Sequence, residues 1–133
     1  MSEKPLILVV DDNADCRELV VWLLERHGFH TISAKSGHEA VELAIRFQPR
    51  LVLMDLNMPG MNGYEATRAI RARGSGRTIP VVAVSADCVE PGFEDWAFKA
   101  GFTAFIAKPW EQDALLKLVA RVLTDIVPST QAA

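Results

Sequence analysis

The chain has 133 residues, half of them hydrophobic, and a formal net charge of −3. That length suits one domain with an ordinary core, and the acidic balance argues against nucleic acid as the main partner. Met1-Ser2-Glu3-Lys4-Pro5 lacks a charged-then-apolar leader pattern, and no apolar run approaches the ~20 residues that span a bilayer, so a cytoplasmic protein with no membrane partner is expected.

Leu6 to Val10 is a continuous apolar run, which predicts a buried strand ending at Asp11-Asp12-Asn13. Cys16, Leu19, Val20, Leu23 and Leu24 then recur at helical spacing, and Gly28 suits the left-handed position after the helix. Trp22 falls off that stripe. Cys16 and Cys88 have no metal-ligand spacing and read as small core residues. Thr31 to Ala34 predicts a second strand. Ser36 and Glu39 have capping-box spacing before a helix carrying Ala40, Val41, Leu43, Ala44 and Phe47, which Pro49 ends.

Leu51 to Met54 runs straight into Asp55, and Pro59-Gly60 follows as a turn signal. A helix is expected from about Gly63 to Arg73, with Arg68, Arg71 and Arg73 on its solvated face, then a flexible Gly74-Ser75-Gly76. Val81 to Val84 predicts a fourth buried strand leading to Ser85-Ala86. Glu90-Pro91-Gly92 opens a helix with Phe93, Trp96, Ala97 and Ala100 on its apolar face and Gly101 at its end. Gly92 weakens that start, so this helix is expected to be the loosest. Ala104 to Ala107 predicts a fifth strand, followed by Lys108-Pro109. The last helix carries Leu115, Leu116, Val119, Val122, Leu123 and Ile126, and the tail from Pro128 reads as frayed. Strands and helices alternate five times, which means a doubly wound five-stranded parallel sheet in a single domain over residues 1–133, with a core from about 6 to 127.

In such a sheet the carboxyl ends of the strands share one edge, where ligands bind. Strand one delivers Asp11 and Asp12 to that edge, strand three Asp55, strand four Ser85 and strand five Lys108. Three carboxylates in one small space repel, and one ammonium is insufficient compensation. A hard divalent cation is the natural partner. Mg²⁺ is preferred to Ca²⁺ because few protein ligands are offered, and zinc is disfavoured because no Cys or His lies near the cluster. A metal, a hydroxyl and a lysine around one carboxylate suit phosphoryl transfer. Asp55 would be the nucleophile, Asp12 would bind the metal directly and Asp11 through water, and Ser85 and Lys108 would grip the phosphate oxygens. Taken singly, each residue has a plainer explanation: Asp12 as a helix cap, Asp55 as a turn cap, Ser85 as a strand end and Lys108 as a surface charge. His27 at a helix end, and His30 and His38 at the surface or its boundary, have no part in this chemistry.

Asp11-Asp12, "LMDLNMPGMNGYEATRAIR", "VVAVSA" and "KAGFTAFIAKP" together resemble the receiver domain of two-component response regulators, over about Leu6 to Val127. The resemblance implies a flavodoxin-like fold with strand order 2-1-3-4-5. It implies that Asp55 accepts a phosphoryl group from a phosphohistidine on a kinase or phosphotransfer protein, with Mg²⁺ held by Asp12, Asp55 and the backbone carbonyl of Asn57. It implies a phosphoacceptor that assists its own phosphorylation and slow dephosphorylation, not a turnover enzyme. Phe105, three residues before Lys108, stands where the family carries an aromatic switch coupled to Ser85, although a simple core aromatic reads as well there. Switching would remodel the face formed by the fourth helix, fifth strand and fifth helix, and Phe98 and Leu118 are expected on that face.

Ser85 replaces a more frequent threonine, and Asn62 stands where an aspartate is usual, a peripheral position where little effect is expected. Asn57 and Asp87, two residues beyond the nucleophile and the hydroxyl, are expected to set the lifetime of the aspartyl phosphate. The leading expectation is a stand-alone receiver that docks on a downstream protein or relays the phosphoryl group. A receiver excised from a hybrid histidine kinase is the alternative. An aspartate-nucleophile phosphatase is remote, because Asn57 replaces the second aspartate that such enzymes carry. A flavodoxin is disfavoured, because Asp11-Asp12 would repel the flavin phosphate.

Overall fold

The computed structural model describes the backbone of residues 4–132 and the side chains of residues 4–124. In chain order the elements are β1 (Leu6–Val10), α1 (Ala14–Arg26), β2 (His30–Ala34), α2 (Gly37–Phe47), β3 (Leu51–Asp55), α3 (Gly63–Ala72), β4 (Val81–Ser85), α4 (Phe93–Ala100), β5 (Ala104–Ala107) and α5 (Gln112–Ala132). All strands pair in parallel in the order β2-β1-β3-β4-β5. This is the doubly wound sheet expected from the alternation, in the flavodoxin-like strand order that the resemblance implies.

Side chains alternate across a strand, and here each alternate set meets its own helical layer. Leu8, Val10, Val52, Met54, Val81 and Ala83 pack with Ala40, Ala44, Ala66, Ile70, Phe93 and Ala97 from α2, α3 and α4. Ile7, Val9, Leu51, Leu53, Val82 and Val84 pack with Val20, Leu23, Leu24, Leu115, Val119 and Val122 from α1 and α5. The central strands are therefore apolar on both faces, which is why they read as unbroken runs.

The helix starts follow from local chemistry. Asn13 caps α1, its side chain accepting from Cys16 N at 2.9 Å. Ser36 caps α2 by accepting from Glu39 N, but the Glu39 carboxylate accepts from Lys35 N, one residue before the cap, so the capping box is not closed. Asn62 and Glu65 form a complete box at α3. A Cβ at Gly63 would collide with the Asp55 carbonyl, so only glycine lets α3 start this close to the end of β3.

Several expectations are corrected. Cys16 is exposed rather than a core residue, and Cys88 is half-buried. Arg71 is not on a solvated face. It is half-buried and donates to the carbonyls of Gly101, Gly76 and Ile79, tying α3 to the turns before β4 and β5. The Gly74–Gly76 connection is a 3-10 turn with Gly76 buried. Helix α4 begins at Phe93, with Gly92 in the left-handed region at φ 84° and without a side-chain cap. Residues 86–89 form a separate 3-10 turn. Leu118 is buried at 8% exposure, because Leu115, Leu118, Val119, Val122 and Leu123 form the inward stripe of α5 and Leu116 is its half-buried flank. Phe98 is exposed, as expected. The backbone of α5 is helical through Ala132, across the stretch expected to fray. The Ile126 side chain lies outside the described ones.

Candidate functional site

The carboxyl ends of β1, β3, β4 and β5 meet at one edge of the sheet. Asp11, just past β1, is 6% exposed, and its Oδ1 accepts from Asn13 N at 2.9 Å. Arg17 reaches back from α1 to the Asp11 carbonyl at 2.8 Å. Because Asn13 caps α1, Asp12 is free of that duty and lies exposed beside the cluster. Asp55 ends β3 at 4% exposure, and its Oδ1 accepts from Asn57 N at 3.1 Å. Carboxylate oxygens of Asp11, Asp12 and Asp55 all lie within 4.8 Å of one another.

Lys108 follows β5 and is fixed by its backbone N–H donating to the Ser85 carbonyl at 3.1 Å. Its Nζ sits 3.4 Å from Asp11 Oδ2 and 3.4 Å from Asp55 Oδ2. Ser85 is fully buried. Its Oγ accepts from Asp87 N at 3.0 Å and from Asn57 Nδ2 at 3.3 Å.

Burial pushes the Asp55 carboxyl above the usual carboxylate range. The Asn57 amide and the Lys108 ammonium oppose this, and the neighbouring Asp11 adds to it. Burial acts to lower the Lys108 ammonium, but Asp55 and Asp11 together outweigh it and hold the group above its ordinary value. One ammonium thus contacts two members, Asp11 and Asp55, of a cluster of three carboxylates. Among the described residues the clustered donors are carboxylate oxygens, with no imidazole or thiolate, and Asp12 opens the set to water. Such a set fits a hard divalent cation that keeps part of its hydration shell.

Beside the carboxylates lies a largely apolar cavity of about 220 Å³ between α1 and the loop into α5, with Cys16, Leu19 and Trp110 among its lining residues. On the other side, Phe105 is half-buried and meets Phe93 edge-on with ring centroids 5.2 Å apart, and Phe93 in turn lies 5.3 Å from Trp96 on α4. The Asp87 carboxylate is on an exposed residue at the rim. His27, His30 and His38 are exposed and stand outside the cluster, as expected.

Two features were missed by sequence reasoning. The Asn57 side chain bonds the hydroxyl at the end of β4, a contact between distant residues that no local pattern announces. Asn13 rather than Asp12 caps α1, which the Asn directly before the helical period signals.

Residues 7–120 match the family described as response regulator receiver domain. The chain belongs to that family. Protein PilH of Pseudomonas aeruginosa is 35% identical over 117 residues, covering 88% of this receiver and 96% of PilH. The polar-differentiation response regulator DivK of Brucella ovis is 34% identical over 119 residues, covering 90% of this chain and 96% of DivK. Among solved structures, the chemotaxis protein CheY4 of Vibrio cholerae superposes with a TM-score of 0.84 at 28% identity, over 90% of this chain and 98% of that one. The receiver domain of the Pseudomonas aeruginosa sensor histidine kinase PA1611, solved with a magnesium ion coordinated in its active-site cleft, has a TM-score of 0.83 at 30% identity, over 91% and 98% of the two chains. Receiver domains take phosphoryl groups from kinases and signal to downstream targets. No helix among the described residues is long and apolar enough to cross a membrane.

Proposed function

We propose that this receiver accepts a phosphoryl group on Asp55 from a phosphohistidine of a histidine kinase or histidine phosphotransfer protein. One observation carries the reading: the three carboxylates converge within 4.8 Å while Lys108 stands 3.4 Å from Asp55. A carboxylate oxygen of Asp55 attacks phosphorus, the P–N bond of the phosphohistidine breaks, and the imidazole nitrogen leaves with its electron pair and takes up a proton. Asn57 N orients the nucleophile through Oδ1. Lys108, already beside Asp55, supplies a fixed positive charge for the transferred oxygens, and the Ser85 hydroxyl donates to one of them.

Mg²⁺ suits the donor set, held by Asp12, Asp55 and the backbone carbonyl of Asn57 with Asp11 acting through water, and it would neutralise the carboxylates and polarise the phosphoryl oxygens. Its likeness to the magnesium-bearing PA1611 receiver supports this choice. Asn57 and Asp87 flank the route of the hydrolytic water and set the lifetime of the aspartyl phosphate. Engagement of Ser85 shifts Phe105 and with it the α4-β5-α5 face, a population shift that creates the surface read by a downstream protein. The protein works in the cytoplasm as a phosphoacceptor, not a turnover enzyme.

We place it as a stand-alone regulator because PilH and DivK are matched over 96% of their own lengths. A receiver belonging to a hybrid sensor kinase is the second reading, favoured by the PA1611 likeness. The test of the chemistry is incubation with phosphoramidate, with and without Mg²⁺, followed by intact mass. One Mg²⁺-dependent phosphoryl adduct, absent from Asp55→Asn, is expected. An adduct that persists in that variant refutes the assignment.

A further inference from the structure

The cavity beside the carboxylates has no part in the chemistry proposed for Asp55. Leu53 and Val84 line it from the sheet, Leu19 from α1, Leu115 from α5 and Trp110 from the loop between β5 and α5. Leu19 follows the apolar period of α1 yet is 46% exposed, so part of that stripe borders the cavity instead of core. At about 220 Å³ the space exceeds the roughly 150 Å³ that holds a benzene ring. Asp11, Asp55 and Lys108 supply its charged groups. An ionised carboxylate has about four acceptor sites. On Asp11 these meet Asn13 N and Lys108 Nζ, and on Asp55 they meet Asn57 N and Lys108 Nζ, so each carboxylate keeps acceptor capacity to spare. Among the described residues no cation pairs with the neighbouring Asp12. The polar end of the cavity therefore carries surplus negative charge.

We propose that this cavity binds a small aryl cation, its ring between α1 and the loop into α5 and its charged head at Asp11 and Asp55, and that such a ligand antagonises Mg²⁺. The ring is called for by an apolar lining with room for one six-membered ring and a short head. The charge is called for by the surplus of carboxylate over ammonium. An anionic head would face three carboxylates gathered within 4.8 Å. A neutral head would leave the surplus unanswered. An amidinium suits the place well, because its paired N–H donors lie in one plane and match a carboxylate. The binding itself rests on the cavity and the carboxylates, and only its antagonism of Mg²⁺ rests on the proposed function. A divalent cation at the cluster becomes its largest local charge and cancels the surplus that attracts the head. Each ligand then weakens the other by the same factor.

The test titrates the full, metal-free chain at low salt with benzamidine, benzamide and benzoate, which share one shape and differ in charge. Binding is followed by NMR at the indole N–H of Trp110, and the ring is located by nuclear Overhauser contacts to the methyls of Leu19 and Leu115. Benzamidine is expected to bind with a dissociation constant below about 1 mM. Benzamide is expected to bind at least about tenfold more weakly, and benzoate more weakly still. Leu19→Ala strips apolar wall from the cavity and must weaken benzamidine about threefold or more. Trp22→Ala, on the same helix but outside the lining, must leave its affinity unchanged. Saturating Mg²⁺ must weaken benzamidine about tenfold or more while moving benzamide less than about twofold. Equal affinity for the three probes overturns the site, as do contacts to other methyls, a silent Leu19→Ala or a benzamidine affinity indifferent to bound Mg²⁺. If calorimetry on the ligand-free protein detects no Mg²⁺ binding, the metal reading under the proposed function falls and the antagonism with it. The preference for benzamidine over benzamide then decides the cavity site by itself.

Discussion

Replacing Lys108 by methionine removes the one ammonium beside two buried carboxylates and keeps most of the side-chain volume. At 3.4 Å and an effective dielectric constant near 20, each contact to Asp11 and Asp55 carries about 5 kcal/mol of gross attraction. Desolvation of all three groups offsets most of that. Removing one partner of a buried pair costs about 3–5 kcal/mol. Lys108 retains 30% of its side-chain exposure, so the lower end applies and a loss of about 3 kcal/mol is expected near neutral pH. The pH dependence follows from Asp55, whose folded-state carboxyl already titrates above its unfolded value of 3.8 because of burial. A carboxyl raised in this way binds its proton more tightly when folded, so stability falls as pH rises from the unfolded value through the raised one. Without Lys108 the carboxyl is raised further, so the fall continues to higher pH and is larger in total. Urea unfolding of the metal-free protein therefore shows the full loss at pH 7.5 and a much smaller one at pH 4. Equal losses at the two pH values would refute the electrostatic origin, and no loss at pH 7.5 would refute the role of Lys108 as counter-charge.

Other perturbations are equally direct. Asn62→Ala opens the capping box of α3 and is expected to cost about 1 kcal/mol in urea unfolding, while Asn62→Asp keeps the acceptor and costs little. Gly63→Ala drives a Cβ into the Asp55 carbonyl, and the forced separation of α3 from β3 is expected to cost about 2 kcal/mol or more by the same measurement. Arg71→Ala strips the carbonyls of Gly76, Ile79 and Gly101 of their donor. Hydrogen exchange of the amides around Gly101 is expected to accelerate at least about fivefold, the effect of one lost hydrogen bond on local opening.

The strands and the site were legible for one physical reason. In a parallel sheet covered on both faces, the strand interior is apolar throughout, so the first polar residue after each run marks the strand's carboxyl end. Asp11, Asp55, Ser85 and Lys108 stand at or just past those ends, and the fold collects them. What could not be read depends on partners distant in sequence. Arg71 looks like any surface arginine in the repeat of α3 until the turns at Gly76 and Gly101 close around it. Cys16 and Leu19 share the helical period of the buried Val20, Leu23 and Leu24, yet they line a cavity beside the site instead of core. Leu118 was misplaced because Leu116 and Leu118 compete for the inner stripe of α5, and only docking on the sheet decides between them. The start of α4 was set too early because Pro91 suits a first turn, while Gly92 takes a left-handed conformation that ends the preceding turn before the helix begins.

The central claim is that Asp55 forms the acyl phosphate. Treating the phosphorylated protein with borohydride reduces an aspartyl phosphate to homoserine, and peptide mass spectrometry then locates it. Homoserine at position 55 alone is the expected result. Homoserine at position 11 or 12, or phosphate retained on a histidine or serine, would contradict the account.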